Sequence, residues 1–231
     1  MVEVGVPEYM GYDRTIAMFT PDGRLLQVEY ARETVKRGAT VVGITFSDGV
    51  VIAASKIMFA NKLMVSSVEK LFQIDDHCGA GASGFLSDAR VLIDFARIRA
   101  QVHRITYDEP EGILSISKNI ADRIQYSTLI AGLRPFGVGI LIGGYDSTGV
   151  HLVEVDTAGM IFEWKAHALG RGAQSAIKIL QQQWKEDLKE KEAIKLALEA
   201  LEKSEKEFKG VDLLLVKVGE KIRLLKEEEI K

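Results

Sequence analysis

Two adjacent residues of the sequence, His77 and Cys78, are of types that could bind a metal ion. Neighbouring residues of a strand point to opposite faces of its sheet, so the two side chains would diverge. A tetrahedral metal site also needs further ligands, and no second ligand pair lies nearby in the sequence. We therefore expect Cys78 to be a small buried thiol, and we predict no metal site and no cofactor.

A glycine-rich turn, Gly170-Arg171-Gly172, precedes a predicted helix and could hold an anion at the N-terminus of that helix. The turn lacks the Lys and the Ser or Thr of a nucleotide-binding P-loop, and its spacing differs from that of a dinucleotide-binding loop. An ordinary tight turn is therefore expected here. The four histidines are scattered along the chain without the spacing of a metal site or a catalytic dyad.

The composition narrows the class of protein. The chain has 231 residues, of which 47% are hydrophobic, and this is ample for a core. A formal net charge of −3 gives no support for nucleic-acid binding, and a single cysteine excludes an intramolecular disulfide. We find no signal peptide and no apolar run near the roughly 18 residues that span a membrane. We therefore expect a soluble, cytoplasmic protein.

The periodicity of apolar residues and the turn signals predict groups of strands that alternate with pairs of helices. The predicted elements are a helix over 24–37, strands over 40–46 and 50–55, two strands within 68–83, helices over 86–102 and 111–130, strands over 138–144, 150–155 and 161–165, helices over 171–184 and 190–207, and a strand over 212–218. This order favours an α+β fold, a four-layer αββα sandwich with two antiparallel sheets between helix layers and an additional N-terminal helix. No linker composition interrupts the chain, so we predict a single domain over residues 1–231.

Three N-terminal segments stand out, namely Tyr12-Asp13-Arg14, Thr20-Pro21-Asp22-Gly23-Arg24 and residues 27–33. Together they closely resemble the signature of proteasome α-subunits. The resemblance continues at Ser83-Gly84, residues 88–94, Thr106-Tyr107, residues 134–138, residues 156–159 and residues 163–166. It implies an archaeal-type α-subunit of the 20S proteasome, with the fold of the N-terminal-nucleophile hydrolases. It further implies a homo-heptameric α-ring that stacks on β-subunits and admits unfolded protein substrates.

The same resemblance bears on catalysis. An N-terminal-nucleophile hydrolase needs Thr, Ser or Cys at its mature N-terminus, because the free amine there serves as the base. Cleavage as in β-subunits would follow Gly38 and expose Ala39, leaving Thr40 one residue inside the chain. The carboxylate of β-subunits falls at Ser55, and only their lysine is matched, by Lys70. A non-catalytic subunit is therefore expected, and the alternative is a self-processing threonine hydrolase.

The resemblance assigns one group of residues to a gate. Tyr12, Asp13, Pro21 and Tyr30 match the cluster that holds the N-terminal arms of α-subunits in an ordered open gate. Residues 1–11 would form a mobile gate arm. A phenol, a carboxylate and a rigid turn could fix neighbouring arms by packing and hydrogen bonds.

A second group is assigned to the docking of activators. Lys70 and Gly84 match the pocket that receives the C-terminal tails of regulatory ATPases and other activators. The Lys70 ammonium would pair with the terminal carboxylate of the tail. From the residues alone, Lys70 could instead be a solvated charge at the start of a strand, and Gly84 could serve a strand-to-helix turn.

Overall fold

The computed structural model describes residues 18–56, 68–206 and 208–226, and within these ranges the chain forms five helices and ten strands. The helices are α1 (Leu26–Arg37), α2 (Leu86–Tyr107), α3 (Ile113–Leu129), α4 (Ala173–Gln183) and α5 (Glu190–Ser204). The strands are β1 (Val41–Phe46), β2 (Gly49–Ser55), β3 (Leu71–Asp75), β4 (Cys78–Gly84), β5 (Val138–Asp146), β6 (Gly149–Val155), β7 (Ile161–Glu163), β8 (Ala166–Leu169), β9 (Val211–Lys217) and β10 (Arg223–Lys226). None of the helices in these ranges is long and apolar enough to cross a membrane.

The strands form two antiparallel sheets that pack face to face. The strand order is β10-β9-β2-β1-β8 in the first sheet and β3-β4-β5-β6-β7 in the second. Alternate residues of each strand point to opposite faces, so Ile52 packs with Leu141 and Leu152 between the sheets, whereas Val51 and Ala53 face outward. Helices α4 and α5 cover the outer face of the first sheet, and α2 and α3 cover that of the second. The predicted four-layer αββα sandwich is confirmed.

Helix α1 packs against the end of β4 and the beginning of β5. It begins at Leu26, two residues later than predicted, because the amide of Arg24 donates to Thr20 Oγ1 at 3.0 Å and keeps the chain in the preceding turn. The hydroxyl of Thr34 donates to the carbonyl of Gly137 at 2.5 Å and ties the helix to the entry of β5. The helix ends at Arg37, and the amide of the next residue, Gly38, donates to the carbonyl of Thr34 at 3.2 Å.

The chain crosses from one sheet to the other after β7, where the sequence predicted one strand over residues 161–165. β7 pairs with β6 in the second sheet, and β8 pairs with β1 in the first. At the crossing, the amide of Trp164 still donates to the carbonyl of Leu152 at 2.8 Å, whereas the carbonyl of Lys165 accepts from the amide of Thr45 at 2.8 Å. Strand β10 was not predicted either.

Candidate functional site

The junction between α1 and β1 is the place where a nucleophile hydrolase of this fold would carry its N-terminal residue. Here the junction is an internal segment held by hydrogen bonds from distant parts of the chain. The carbonyl of Gly38 accepts from the amide of Arg171 at 2.9 Å, and the carbonyl of Ala39 accepts from Ser83 Oγ at 2.9 Å. The amide of Thr40 donates to Glu205 Oε1 at 2.9 Å.

An ion pair between the buried Glu205 and the half-exposed Arg171 forms the centre of this clamp, by which we mean Thr40, Arg171, Gly172 and Glu205. Oε2 of Glu205 lies 2.6 Å from both Nε and Nη2 of Arg171, and the carboxylate side chain is fully buried. Burial raises the pKa of Glu205, but its bonds with Thr40 and Arg171 outweigh burial and hold that pKa below its ordinary value. The amide of Gly172 donates to Thr40 Oγ1 at 3.0 Å, so one lone pair of the threonine hydroxyl accepts from this turn.

The turn at residues 170–172 therefore binds the α1–β1 junction. Gly170 has a φ of +104°, and a Cβ there would lie 2.7 Å from the carbonyl oxygen of Ala39. Only glycine fits this close approach, because a side chain would be strained by the dihedral angle and would also collide with the backbone.

Lys70 and Ser55 lie beside this clamp. Lys70 is only 3% exposed, so the structure excludes a solvated charge. Lys70 Nζ and Ser55 Oγ are both buried without a hydrogen-bond partner among the residues that the structure describes. Burial lowers the pKa of Lys70 to about 8, although the carboxylates of Asp212 and Glu205 oppose this shift. Lys70 is thus buried beside Ser55, which has no carboxylate, and near the carboxylates of Asp212 and Glu205.

Gly84, the other residue of the predicted pocket, is the last residue of β4, the strand that pairs with the segment after Lys70. The amide of Ala82 donates to the carbonyl of Lys70 at 2.9 Å, so the β3–β4 hairpin brings Gly84 near Lys70. Gly84 has a φ of +114°, and a Cβ there would lie 2.4 Å from the carbonyl oxygen of Gly137 and 3.3 Å from Cα of Val35. The residue therefore permits the close packing of α1 on the second sheet, and this packing role is compatible with a place in a pocket.

The structure describes only two of the four predicted gate residues, Pro21 and Tyr30. Tyr12, Asp13 and residues 1–11 lie outside the described residues. Pro21 stands in a turn closed by the amide of Gly23, which donates to the carbonyl of Thr20 at 2.8 Å. Tyr30 lies on α1, is 49% exposed, and lines a cavity of about 270 Å3 together with Phe85 and Arg134.

Sequence reasoning assigned no role to two buried carboxylates that hold this region. Glu205 lies in a charge-dense segment that gives no local signal for its pairing with Thr40. Asp88 accepts both guanidinium nitrogens of Arg134, at 2.6 and 2.7 Å, and also the amide of Gly137 at 3.0 Å. The contact between Asp88 and Arg134 joins α2 to the loop before β5, next to α1. The resemblance included Asp88 and Arg134 among its matching residues, and it gave them no function.

The predicted small buried thiol is at Cys78 in β4, where burial raises the pKa of the thiol above its ordinary range. Among the described segments, no group of three or more His, Cys, Asp or Glu side chains has the geometry to hold a metal ion.

Comparison with known proteins agrees with this geometry. The family model described as Proteasome subunit matches residues 35–216. A second model, which describes the N-terminal signature of A-type proteasome subunits, matches residues 12–33. The chain belongs to the proteasome subunit family, and within it to the α type.

Curated relatives named as alpha subunits of the proteasome match most of the chain. The protein of Methanobrevibacter smithii is 44% identical over 224 residues, which cover 95% of this chain and 90% of the relative. That of Pyrococcus horikoshii is 45% identical over 228 residues, which cover 97% and 87%. That of Methanosarcina thermophila is 48% identical over 195 residues, which cover 84% and 79%.

Proposed function

We propose that this chain is a non-catalytic α-ring subunit of an archaeal-type 20S proteasome. Seven copies form an outer ring, which stacks on a ring of β-subunits and controls the entry of unfolded proteins into the proteolytic chamber. The observation that carries the proposal is the clamped junction, where Ala39 has no nucleophilic side chain and the amide of Thr40 is bonded to the buried Glu205. The predicted cytoplasmic location belongs to the same proposal.

The chemistry of the junction supports the absence of catalysis. An amide nitrogen donates its N–H and has no basic lone pair, so the nitrogen of Thr40 cannot act as a general base. Its hydroxyl accepts a hydrogen bond from Gly172 at 3.0 Å. Ser55 offers no negative charge to hold the ammonium of Lys70. A peptide bond would have to break before any of these groups could act.

The gate is the first of the finer functions that we assign. The turn around Pro21 is fixed by bonds between Thr20 and Arg24, including that of Thr20 Oγ1 to the carbonyl of Arg24 at 3.2 Å. Such a turn gives a fixed direction to the arm that precedes it. Tyr30 stands half-exposed on α1, where its phenol can contact the arm of a neighbouring subunit. With Tyr12 and Asp13, these residues would hold the arms of residues 1–11 away from the pore.

The docking of activator tails is the second finer function that we assign. The buried amine of Lys70 has no hydrogen-bond partner in the described ranges, and a tail carboxylate would supply one. Arg171 and Glu205, whose charges act on Lys70, also line a cavity of about 550 Å3. This space supports the proposal that a tail approaches the lysine from the side of Arg171 and Glu205.

Native mass spectrometry of the purified chain, alone and with a candidate β-subunit, tests the proposed function. We expect an intact chain that forms rings of seven, stacks on β-rings and does not cleave peptides on its own. A chain that begins at Ala39 or Thr40 and hydrolyses peptides until a threonine-directed inhibitor is added would contradict the proposal and support the self-processing hydrolase.

Replacement of the pocket lysine tests the docking function. In the assembled α–β particle, Lys70→Ala is expected to abolish activator-stimulated protein degradation, because the tail carboxylate loses its cation. The hydrolysis of small peptides without activator should not change. Lys178→Ala, at an exposed lysine of α4, is the control and should retain stimulation. If stimulation survives in Lys70→Ala, the assignment of the pocket is wrong.

A further inference from the structure

A small cavity of about 230 Å3 lies between α1 and the side of the sandwich where β7 and β8 are the outermost strands of their sheets. Its walls are mainly apolar and include Val35 of α1, Phe162 of β7 and Leu169 of β8. Pockets for drug-sized ligands measure roughly 300–1,000 Å3, so this cavity fits one long side chain or a small organic molecule.

The two cations at the rim of the cavity are already paired. Arg32 Nη2 donates to Asp156 Oδ2 at 3.0 Å, and Lys36 Nζ donates to Glu33 Oε1 at 2.6 Å. Neither is therefore an unpaired charge that would strongly attract an anion or repel a cation.

The carboxylate of Glu154 is the charge in the cavity that remains uncompensated in the described part of the chain. Its Oε2 accepts from Trp164 Nε1 at 2.9 Å and lies 3.2 Å from Nε2 of His167. Burial lowers the pKa of His167 to about 4, so its imidazole is neutral near pH 7 and cannot neutralise the carboxylate. Burial also raises the pKa of Glu154, as expected for a carboxylate without a cation.

Two further features favour a cationic ligand. Thr157 lines the cavity, and its buried hydroxyl has no hydrogen-bond partner among the described residues. The partly exposed ring of Phe162 also lines the cavity, whereas the ring of Trp164 stacks on His167 with their centroids 4.3 Å apart. Aromatic faces attract organic cations, and an ammonium has three N–H donors for carboxylate and hydroxyl oxygens.

We propose that this cavity binds an alkylammonium group, which donates hydrogen bonds to Glu154 and Thr157 while its aliphatic stem lies between Val35 and Leu169. The group could belong to a free diamine or to the lysine side chain of a protein, since both present the same cation on a similar stem. Binding would connect α1 with the β6–β7 turn. The proposal does not depend on the gate or on the activator pocket.

Calorimetric titration of the full chain with 1,4-diaminobutane tests the site. We expect saturable binding and no binding of 1,4-butanediol, which has a similar shape but no charge. A second titration uses Nα-acetyl-lysine N-methylamide, which represents a lysine side chain of a protein. The ligand that binds with the higher affinity identifies the source of the ammonium. Affinity should fall as the pH drops and Glu154 becomes protonated, because the amine stays charged in that range.

Two variants distinguish this site from general electrostatic attraction. Glu154→Gln keeps the shape and the acceptor for Trp164 but removes the charge, so affinity should fall by roughly tenfold or more. Ala173→Leu should abolish binding by filling the cavity that Ala173 lines. Glu202→Gln, at an exposed carboxylate of α5, should bind as the unmodified chain does. Unchanged affinity in a folded Glu154→Gln, equal binding of butanediol, or no saturable heat from either amine would overturn the proposal.

Discussion

Gly84→Ala is expected to lower the free energy of unfolding by about 3–5 kcal/mol, the largest effect of any single substitution that we predict. A φ of +114° strains an L side chain, and its Cβ would lie 2.4 Å from the carbonyl oxygen of Gly137. Strain and collision act together at this position, because backbone on both sides leaves no flexible neighbour to move. Denaturant unfolding followed by circular dichroism measures the change.

Two other glycines separate the two causes. Gly149 has a φ of +132° with open space around its Cβ position, so Gly149→Ala reports strain alone and should cost about 1 kcal/mol. Gly38 has a φ of −64°, but its Cβ would lie 2.4 Å from Gly84 N and Ser83 Oγ, so Gly38→Ala reports collision alone. If Gly84→Ala costs no more than Gly149→Ala, the close packing of α1 on β4 is not the reason for this glycine.

Glu205→Ala is expected to lower the free energy of unfolding by about 2–4 kcal/mol, because it breaks the clamp at its centre. The amide of Thr40 would be left buried without an acceptor. The guanidinium of Arg171 would lose a charged partner, although its side chain is 53% exposed and can be solvated by water. Glu202→Ala, on the exposed face of α5, is the matched control and should change stability by less than about 0.5 kcal/mol.

The clamp also predicts a pH dependence of stability. The pKa of Glu205 is lower in the folded than in the unfolded chain, so its contribution is complete above the unfolded value of about 4.3. That contribution is lost as the pH falls from there through the folded value. Glu205→Gln should therefore lose less stability than the unmodified chain in this acid range. Parallel stability curves for the two proteins would contradict this role of Glu205.

Much of the fold could be predicted from local patterns. Two strand-like segments joined by the turn signal at residues 47–49 predicted β1 and β2, and the turn at Pro21-Asp22-Gly23 placed the entry to α1 within two residues. The crossing after β7 could not be predicted, because residues 161–169 form a nearly continuous run of strand-like residues without a turn signal. The point at which this run divides into β7 and β8 depends on hydrogen bonds to two different strands, since Trp164 bonds with Leu152 of β6 and Lys165 bonds with Thr45 of β1.

For the candidate sites, too, the sequence and the tertiary structure determined different features. The sequence alone determined that Ala39 follows Gly38 and that Ser55 replaces a carboxylate, since these facts depend only on residue identity. The tertiary structure decided that Thr40 is held by Glu205, 165 positions away, and that Glu154 is a largely buried carboxylate beside His167. Such facts arise from packing between distant segments, because burial and the partner of a charge are set by neighbours in space, and a linear pattern does not specify those neighbours.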